Sequence, residues 1–293
     1  MKTKIYLLII PILLASCNGN ENSSDAYGNF EAKEVIVSAE AQGKIIEFTA
    51  EEGQSLKAEQ ILGFIDTVPL SIQREQLFAQ KQAVASKKAN VNAQIEVQKQ
   101  QQKVLETEKN RIEQLYNDNA ATKQQYDDIT GKYDVLEKQI AATKTQISSI
   151  LREMNVIDKQ VKLVNEQLSR AIITNPIDGT VLEKYLEENE IAFAGKALYK
   201  IARLDEIELR VYVSGAQLPN VKIGQEVKVL IDKDSETNQE YSGKVFWISD
   251  QAEFTPKIIQ TKEERVNMVY AVKIRVKNDG KLKIGMPGEV LFN

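Results

Sequence analysis

The chain has 293 residues, of which 42% are hydrophobic, 27% are charged and 6% are aromatic, a length and composition typical of about two folded domains. Its formal net charge is −4 and the sequence has no long basic run, so we expect no nucleic-acid partner. The lack of histidine and the single cysteine, Cys17, exclude zinc sites, Ser-His-Asp triads and Cys-His dyads. We therefore expect no enzyme: no catalytic residue, no cofactor and no metal site.

The N-terminus has the pattern of an export signal. Two lysines precede an apolar run, Ile5–Leu14, which spans about 15 Å as a helix and is too short to cross a bilayer. The segment Leu14-Ala15-Ser16-Cys17 resembles the bacterial lipobox, whose cysteine becomes the lipid-modified first residue. This pattern predicts a lipoprotein signal peptide over residues 1–16, lipid attachment at Cys17 and a flexible tether over residues 17–28. An ordinary signal peptide with a chance cysteine is the alternative.

A long stretch without proline lies between Pro69 and Pro176, and Gly131 is its only glycine. Glutamine, lysine, alanine and glutamate dominate it, and these residues favour helix. In its second half, apolar residues recur at alternating steps of three and four, which is the a/d pattern of a left-handed coiled coil. The a/d positions are Tyr126, Ile129, Tyr133, Leu136, Ile140, Thr143, Ile147, Ile150, Met154, Ile157, Val161, Val164 and Leu168.

The first half of this stretch has a weaker heptad pattern. Gln98 fills one of its positions, and the residues that follow are almost all polar. Such an arm pairs with a loss of stability or faces water. Its apolar heptad positions are Leu77, Val84, Val91, Leu105 and Ile112.

A cluster of turn-forming residues, Asn117–Ala121, divides the stretch in two. Thr122 and Gln125 then fit a capping box at the start of the second helix. The two arms, Leu70–Tyr116 and Thr122–Leu168, have equal length, which predicts an antiparallel hairpin about 70 Å long. One continuous rod is the alternative.

Similar sequences flank the two ends of this hairpin. Gly43–Phe48 and Ile61–Asp66 precede it, and Gly179–Lys184 and Leu198–Ile201 follow it. Each copy predicts a short strand, a turn and a second strand, with glycines at the corners. Because the hairpin returns the chain to its starting point, the two halves can close into one small β-sandwich.

The last part of the chain is rich in predicted strands. Strands separated by Gly and Pro turns at this spacing suggest a small β-barrel. We expect Phe246 and Trp247 to pack in its core and not to form a binding site. The predicted strands are Ile207–Val213, Glu226–Ile231, Tyr241–Ile248, Met268–Val276 and Gly288–Phe292.

The two flanking halves resemble a biotinyl/lipoyl domain. The domain order resembles the HlyD-like membrane fusion protein (periplasmic adaptor) family, in the lipoprotein form associated with ABC exporters. The expected fold is α+β, elongated and multidomain: a long antiparallel coiled-coil α-hairpin inserted in a split lipoyl-like β-sandwich, followed by a small C-terminal β-barrel. The expected boundaries are 29–69 for the first lipoyl-like half, 70–168 for the hairpin with its tip at about 116–122, 169–204 for the second half and 205–293 for the barrel.

The resemblance also assigns roles around the tip. Family members that dock on a TolC-like outer-membrane channel carry Arg, Leu and Ser at a spacing that Arg111, Leu115 and Thr122 reproduce here, with Thr in place of Ser. The resemblance therefore implies that these three residues form a docking tip. The alternative is a solvated Arg111, a Leu115 in the seam and a Thr122 that only caps its helix. In carrier lipoyl domains a lysine on the inter-half hairpin takes the cofactor; the coiled coil replaces that hairpin, which disfavours a carrier role.

For function, the resemblance implies a periplasmic adaptor that links an inner-membrane exporter to a TolC-like outer-membrane channel for efflux or secretion. It also implies self-association, as a hexameric ring, and a lipid anchor in the inner membrane of a Gram-negative bacterium. An ABC exporter is favoured because residues 252–261 and 285–287 look like those of ABC-associated adaptors, and because no residues remain for the further domain of RND adaptors. The alternatives are an RND pump adaptor and a lipid-anchored envelope scaffold without a transport role.

Overall fold

The computed structural model describes residues 24–233, 237–254 and 268–292. The expected signal peptide, Cys17 and most of the expected tether lie outside the described residues, as does part of the 252–261 segment. The chain divides into two compact units, of which one comprises residues 34–202 and the other comprises the residues before and after it. Within the described residues, neither helix has a stretch apolar and long enough to cross a membrane.

The described helices and strands follow one another in a simple order, with strands on both sides of a helical pair. In chain order they are β1 (Ala26–Glu31), β2 (Glu34–Ser38), β3 (Gly43–Phe48), β4 (Ser55–Leu56), β5 (Ile61–Ile65), α1 (Val68–Asn117), α2 (Lys123–Ser169), β6 (Ile172–Thr174), β7 (Gly179–Lys184), β8 (Ile191–Ala192), β9 (Ala197–Ala202), β10 (Glu206–Ser214), β11 (Glu226–Asp232), β12 (Asn238–Ile248), β13 (Glu253–Phe254), β14 (Met268–Lys277) and β15 (Pro287–Leu291). A short 3₁₀ turn, Leu218–Asn220, separates β10 from β11.

The predicted α-hairpin is confirmed. Helix α1 begins at Val68, two residues before the expected start, because Pro69 lies in the first turn, where its missing N–H has no intrahelical partner to lose. The helix pair breaks within the predicted turn, and α2 begins directly after Thr122. The continuous rod is therefore wrong.

The heptad pattern of α2 is confirmed as the face that packs against α1. None of its thirteen positions is exposed, and eight of them are buried. The one polar member of the pattern, Thr143, is satisfied because its hydroxyl donates to the carbonyl oxygen of Gln139 at 2.9 Å.

The opposing face of α1 is much more polar. Only Val84 and Ile95 are buried on it, and Ile95 occupies a position that the sequence pattern did not indicate. The half-buried positions at heptad spacing from Ile95 carry long polar side chains, and Lys81 forms an ion pair with Asp158 of α2. These positions are Arg74, Lys81, Lys88, Gln102 and Lys109.

The lipoyl-like halves interlock in two four-stranded sheets, which confirms the predicted repeat. One sheet has the order β2-β9-β7-β4 and the other has the order β6-β5-β3-β8. Each half of the repeat therefore supplies two strands to each sheet, so that neither four-stranded sheet is complete without both halves. Strands β2 and β6, which the sequence did not indicate, occupy equivalent edges of the two sheets.

A buried polar link joins the two halves at their centre. Asn175 is fully buried, and its Nδ2 donates to the carbonyl oxygens of Lys57, at 2.8 Å, and of Ile177. Its Oδ1 accepts a hydrogen bond from the Tyr199 hydroxyl at 2.9 Å. Burial raises the pKa of this tyrosine, so it stays a neutral donor. The Asn175 carboxamide and the Tyr199 hydroxyl therefore make three hydrogen bonds, as buried polar groups require.

Lys184 is a charged residue of the same unit whose side chain is largely buried. Its ammonium group lies between Glu187, at 2.7 Å, and Glu51, at 3.2 Å, and over the ring of Phe48. Burial lowers its pKa, but hydrogen bonds to Glu187 and Glu51 outweigh burial and raise the pKa above the usual lysine value. The group is therefore held as a charged structural partner.

The C-terminal strands form a closed barrel of six strands, in the order β10-β1-β15-β11-β12-β14 with a further pairing between β10 and β14. The short strand β13 adds to β14 outside the ring. The interior is filled by aliphatic side chains from alternate positions, such as Leu209 and Val211 of β10 and Ile274 of β14. The β-barrel prediction is therefore confirmed.

Two expectations about the barrel differ from the structure. Strand β1 pairs with β10 and β15, so residues 26–28 of the expected tether and residues 29–31 of the expected lipoyl-like half belong to the barrel. Trp247 is exposed and does not lie in the core, because the pairing of β12 with β14 shifts register between Val245 and Trp247. Phe246 lies beneath the guanidinium of Arg275, 4.6 Å from the ring centre.

Candidate functional site: the hairpin tip

Arg111 and Leu115 lie in the last two turns of α1, four residues apart and therefore on the same face of the helix. The side chain of Arg111 is 65% exposed and pairs with Glu108 one turn earlier. Leu115 is 39% exposed. Because the seam of α1 runs through Lys109 and Ile112, Leu115 lies off the seam and presents an apolar side chain to solvent.

The end of α1 is closed by its own backbone. The N–H groups of Asp118 and Asn119 donate to the carbonyls of Gln114 and Tyr116, and the N–H of Ala120 donates to the carbonyl of Leu115 at 2.7 Å. Asn119 supplies the left-handed backbone conformation, with φ at 62°, that such a helix end requires. The turn is therefore fixed by hydrogen bonds on the side that carries Leu115.

Thr122 caps α2 as the sequence predicts. Its hydroxyl accepts from the backbone N–H of Gln125 at 3.3 Å, and the Gln125 side chain accepts from the Thr122 N–H at 2.8 Å. Two N–H groups that would otherwise lack a partner at the helix start are satisfied in this reciprocal way. This geometry gives Thr122 a structural role at the tip, whether or not it contacts a partner.

Two aromatic residues pack against each other at the tip, one from each helix. The rings of Tyr116 and Tyr126 stack with centroids 5.2 Å apart and planes 15° from parallel. Further down, the ammonium of Lys109 lies 4.8 Å from the ring centre of Tyr133. Sequence reasoning missed the Tyr116–Tyr126 pair, although a tyrosine on each side of the turn, one at the end of each arm, is a signal that could have indicated it.

This arrangement is suited to recognition. It combines an exposed guanidinium, an exposed leucine and a turn whose backbone is already ordered, so that little conformational entropy is lost on contact. Within the described ranges, no group of three or more Cys, Asp or Glu side chains is placed to hold a metal ion. The expected lipid site, Cys17, lies outside these ranges.

Comparison with models of known protein families gives no match. Among curated proteins, the chain is 34% identical over 126 residues to a UPF0194 membrane protein of Yersinia pseudotuberculosis serotype O:3 (strain YPIII), a match that covers 43% of this chain and 38% of that protein. It is 33% identical over 119 residues to the UPF0194 membrane protein YbhG of Salmonella arizonae, covering 40% and 35% of the two chains. The chain thus spans less than half the length of the curated relatives it matches.

Solved structures extend the likeness to most of the chain. MacA from Actinobacillus actinomycetemcomitans aligns with a TM-score of 0.53 at 23% identity, over 90% of this chain and 76% of that one. The membrane fusion protein Spr0693 from Streptococcus pneumoniae R6 aligns with a TM-score of 0.53 at 17% identity, over 91% and 97%. The chain therefore has the fold of the membrane fusion proteins, also called periplasmic adaptors.

Proposed function

We propose that the protein is a periplasmic adaptor that connects an inner-membrane exporter to a TolC-like outer-membrane channel, and that it carries out no chemistry itself. The observation that carries this proposal is the tip: an exposed Arg111–Leu115 face on a capped, hydrogen-bonded turn at the end of two long helices. Helices of this length extend about 70 Å, far more than a simple dimer contact needs.

The tip residues have separate tasks in this proposal. The Arg111 guanidinium offers several N–H donors to carbonyl or carboxylate groups of the channel. Leu115 supplies an apolar contact to a groove, and Thr122 keeps the start of α2 rigid through its capping box. The Arg111–Glu108 pair is exposed, so exchanging it for a channel partner costs little.

The remaining parts of the assembly follow from the same proposal. The lipid on Cys17 would hold the protein at the inner membrane of a Gram-negative bacterium, and copies of the chain would associate in a hexameric ring. The exporter would be an ABC transporter, which the resemblance of residues 252–261 and 285–287 to ABC-associated adaptors supports. An RND pump is the alternative engine.

The test uses cross-linking in intact cells, followed by solubilisation and identification of the captured proteins. Arg111→Asp and Leu115→Ser should each abolish export and the cross-link to the channel, while the cross-link to the transporter, the helix content and the thermal midpoint stay unchanged. Arg152→Asp and Leu163→Ser make the same chemical changes at exposed positions of the hairpin away from the tip, and both should behave as wild type.

Each of the other possible outcomes of this experiment would support a different role for the protein. Loss of export together with unfolding would show that Leu115 is a packing residue and would overturn the docking role. Capture of RND subunits would support the adaptor role but would show that the transporter is an RND pump and not an ABC transporter. Capture of neither a transporter nor a channel would overturn the adaptor in favour of a lipid-anchored scaffold.

A further inference from the structure

A groove of about 400 Å³ lies on the outer face of the barrel, and the function proposed above does not use it. Its walls come from four adjacent strands, in the order β10-β1-β15-β11. Pockets that bind small molecules in proteins have volumes of roughly 300–1,000 Å³, so the groove is large enough for one such ligand.

Strand register determines which side chains share the groove. Tyr212 lies opposite Tyr27, Tyr27 lies opposite Glu289, and Glu289 lies opposite Leu230. One row across the four strands therefore carries two aromatic rings, one carboxylate and one leucine. Tyr27 is 54% exposed, so its ring is open to a ligand. In the neighbouring row, Pro287 adds apolar surface.

Two charged groups of the groove are already neutralised. The Arg210 guanidinium donates to both carboxylate oxygens of Glu253, at 2.8 and 3.0 Å, and lies 5.7 Å from the ring centre of Tyr212. Glu31 shares the Lys273 ammonium with Glu208, at 3.5 and 3.1 Å. Both groups of the groove therefore already have a partner of opposite charge.

The other two carboxylates of the groove remain unbalanced. Glu289 accepts a hydrogen bond from the Ser24 hydroxyl, which is neutral. Within the part of the chain that the structure describes, neither Glu289 nor Asp232 forms an ion pair with a lysine or arginine. The groove therefore presents two uncompensated negative charges beside aromatic and aliphatic surface.

We infer that this groove is a binding site for a small amphipathic cation. The apolar body of the ligand packs against Tyr27, Leu230 and Pro287, and its positive charge lies beside Glu289 and Asp232. The exposed Tyr27 ring also attracts a cation through its negative face. An anion of the same shape would be repelled by the two carboxylates. A neutral ligand would gain only the apolar contact.

The test compares two probes of the same shape and opposite charge, tetraphenylphosphonium and tetraphenylborate. Binding to the full chain in a nonionic detergent is measured by isothermal titration calorimetry. Tetraphenylphosphonium should bind to wild type, and the double variant Asp232→Asn/Glu289→Gln should weaken its binding about tenfold, which is about 1.4 kcal/mol, because both charges beside the cation are lost. Glu289→Gln keeps an acceptor for Ser24, so the fold is retained.

A control variant and a second groove variant distinguish binding in the groove from partition of the probe into detergent, which is the same for all variants. Asp250→Asn removes an exposed carboxylate of the same barrel outside the groove and should leave binding unchanged. Tyr27→Leu keeps apolar surface, removes the ring and should weaken tetraphenylphosphonium about threefold.

The site is wrong if both probes bind wild type equally, or if the groove double variant and Asp250→Asn bind tetraphenylphosphonium alike. The measurement uses the isolated protein and needs no channel or transporter. Failure of this site therefore leaves channel docking untouched, and failure of docking leaves the site untouched.

Discussion

The hairpin and the lipoyl-like sheets belong to one unit but bury their apolar residues in different ways. In the sheets, side chains such as Ile45, Tyr199 and Ile201 are enclosed on all sides between two layers. In the hairpin, only one stripe of each helix meets a partner, and α1 contributes just Val84 and Ile95 as buried residues. The difference indicates that the sheets concentrate stability in a few positions, whereas the hairpin spreads it along its length and leaves most of its surface for other contacts.

The buried link between the two lipoyl-like halves provides the strongest test of this difference, because the largest loss of stability is expected there. Asn175→Ala should lower the free energy of unfolding of the unit by about 2–3 kcal/mol, because it leaves the buried Tyr199 hydroxyl and the partly buried carbonyls of Lys57 and Ile177 without their partner. Hydrogen exchange of the β5 and β9 amides, followed by mass spectrometry, measures the loss.

Tyr199→Phe is the matched variant, since it keeps the ring and removes a single hydrogen bond. It should cost about 1 kcal/mol. An equal loss for the two variants would show that the single hydrogen bond from the Tyr199 hydroxyl, and not the two bonds from Asn175 to backbone carbonyls, accounts for the effect.

A seam residue of the hairpin should give a smaller loss. Ile157 is 2% exposed, and Ile157→Ala should cost about 2 kcal/mol, at the low end for a core isoleucine because a two-helix seam can partly collapse around the change. Circular dichroism at 222 nm during denaturation in urea measures it. The neighbouring Val156 is 57% exposed, and Val156→Ala should stay within about 0.5 kcal/mol of wild type. Similar losses at both positions would contradict the assignment of the seam.

The sequence predicted α2 in detail because its packing face is apolar at nearly every heptad position. It did not predict the buried Ile95 of α1, since the positions at heptad spacing on either side of it are Lys88 and Gln102 and no apolar period includes it. Strand β1 was missed for another reason. Its partners β10 and β15 lie far along the chain, and only Ala26 and Phe30 in it are buried apolar residues. A short strand of this kind has no local pattern that separates it from a tether.

The features of the tip also differ in how well the sequence predicts them. The capping box of Thr122 and Gln125 was predictable because it depends on residues three apart in the sequence. The stack of Tyr116 on Tyr126 was not, because it depends on how the two helices close across the turn. The groove on the barrel was also beyond the sequence, since its row of Tyr212, Tyr27 and Glu289 exists only once the strand order and register are fixed.

Gln98 provides the smallest and most informative change, because it is the polar residue in the apolar heptad of α1. Its Oε1 is buried and has no hydrogen-bond partner among the described residues. Gln98→Leu should therefore stabilise the hairpin by about 1 kcal/mol in the same urea experiment, because an unsatisfied acceptor is replaced by seam contact. Gln100→Leu, at an exposed position two residues later, should change stability by less than about 0.5 kcal/mol.

A loss of stability in Gln98→Leu would show that the carboxamide is solvated or paired when the hairpin is free in solution, and would contradict the cost assigned to its burial. The export assay then separates two reasons for a polar residue in the seam. A more stable hairpin that still supports export would show that Gln98 only weakens the contact between the helices. A more stable hairpin that no longer supports export would show that the protein needs this seam to open or to contact a partner.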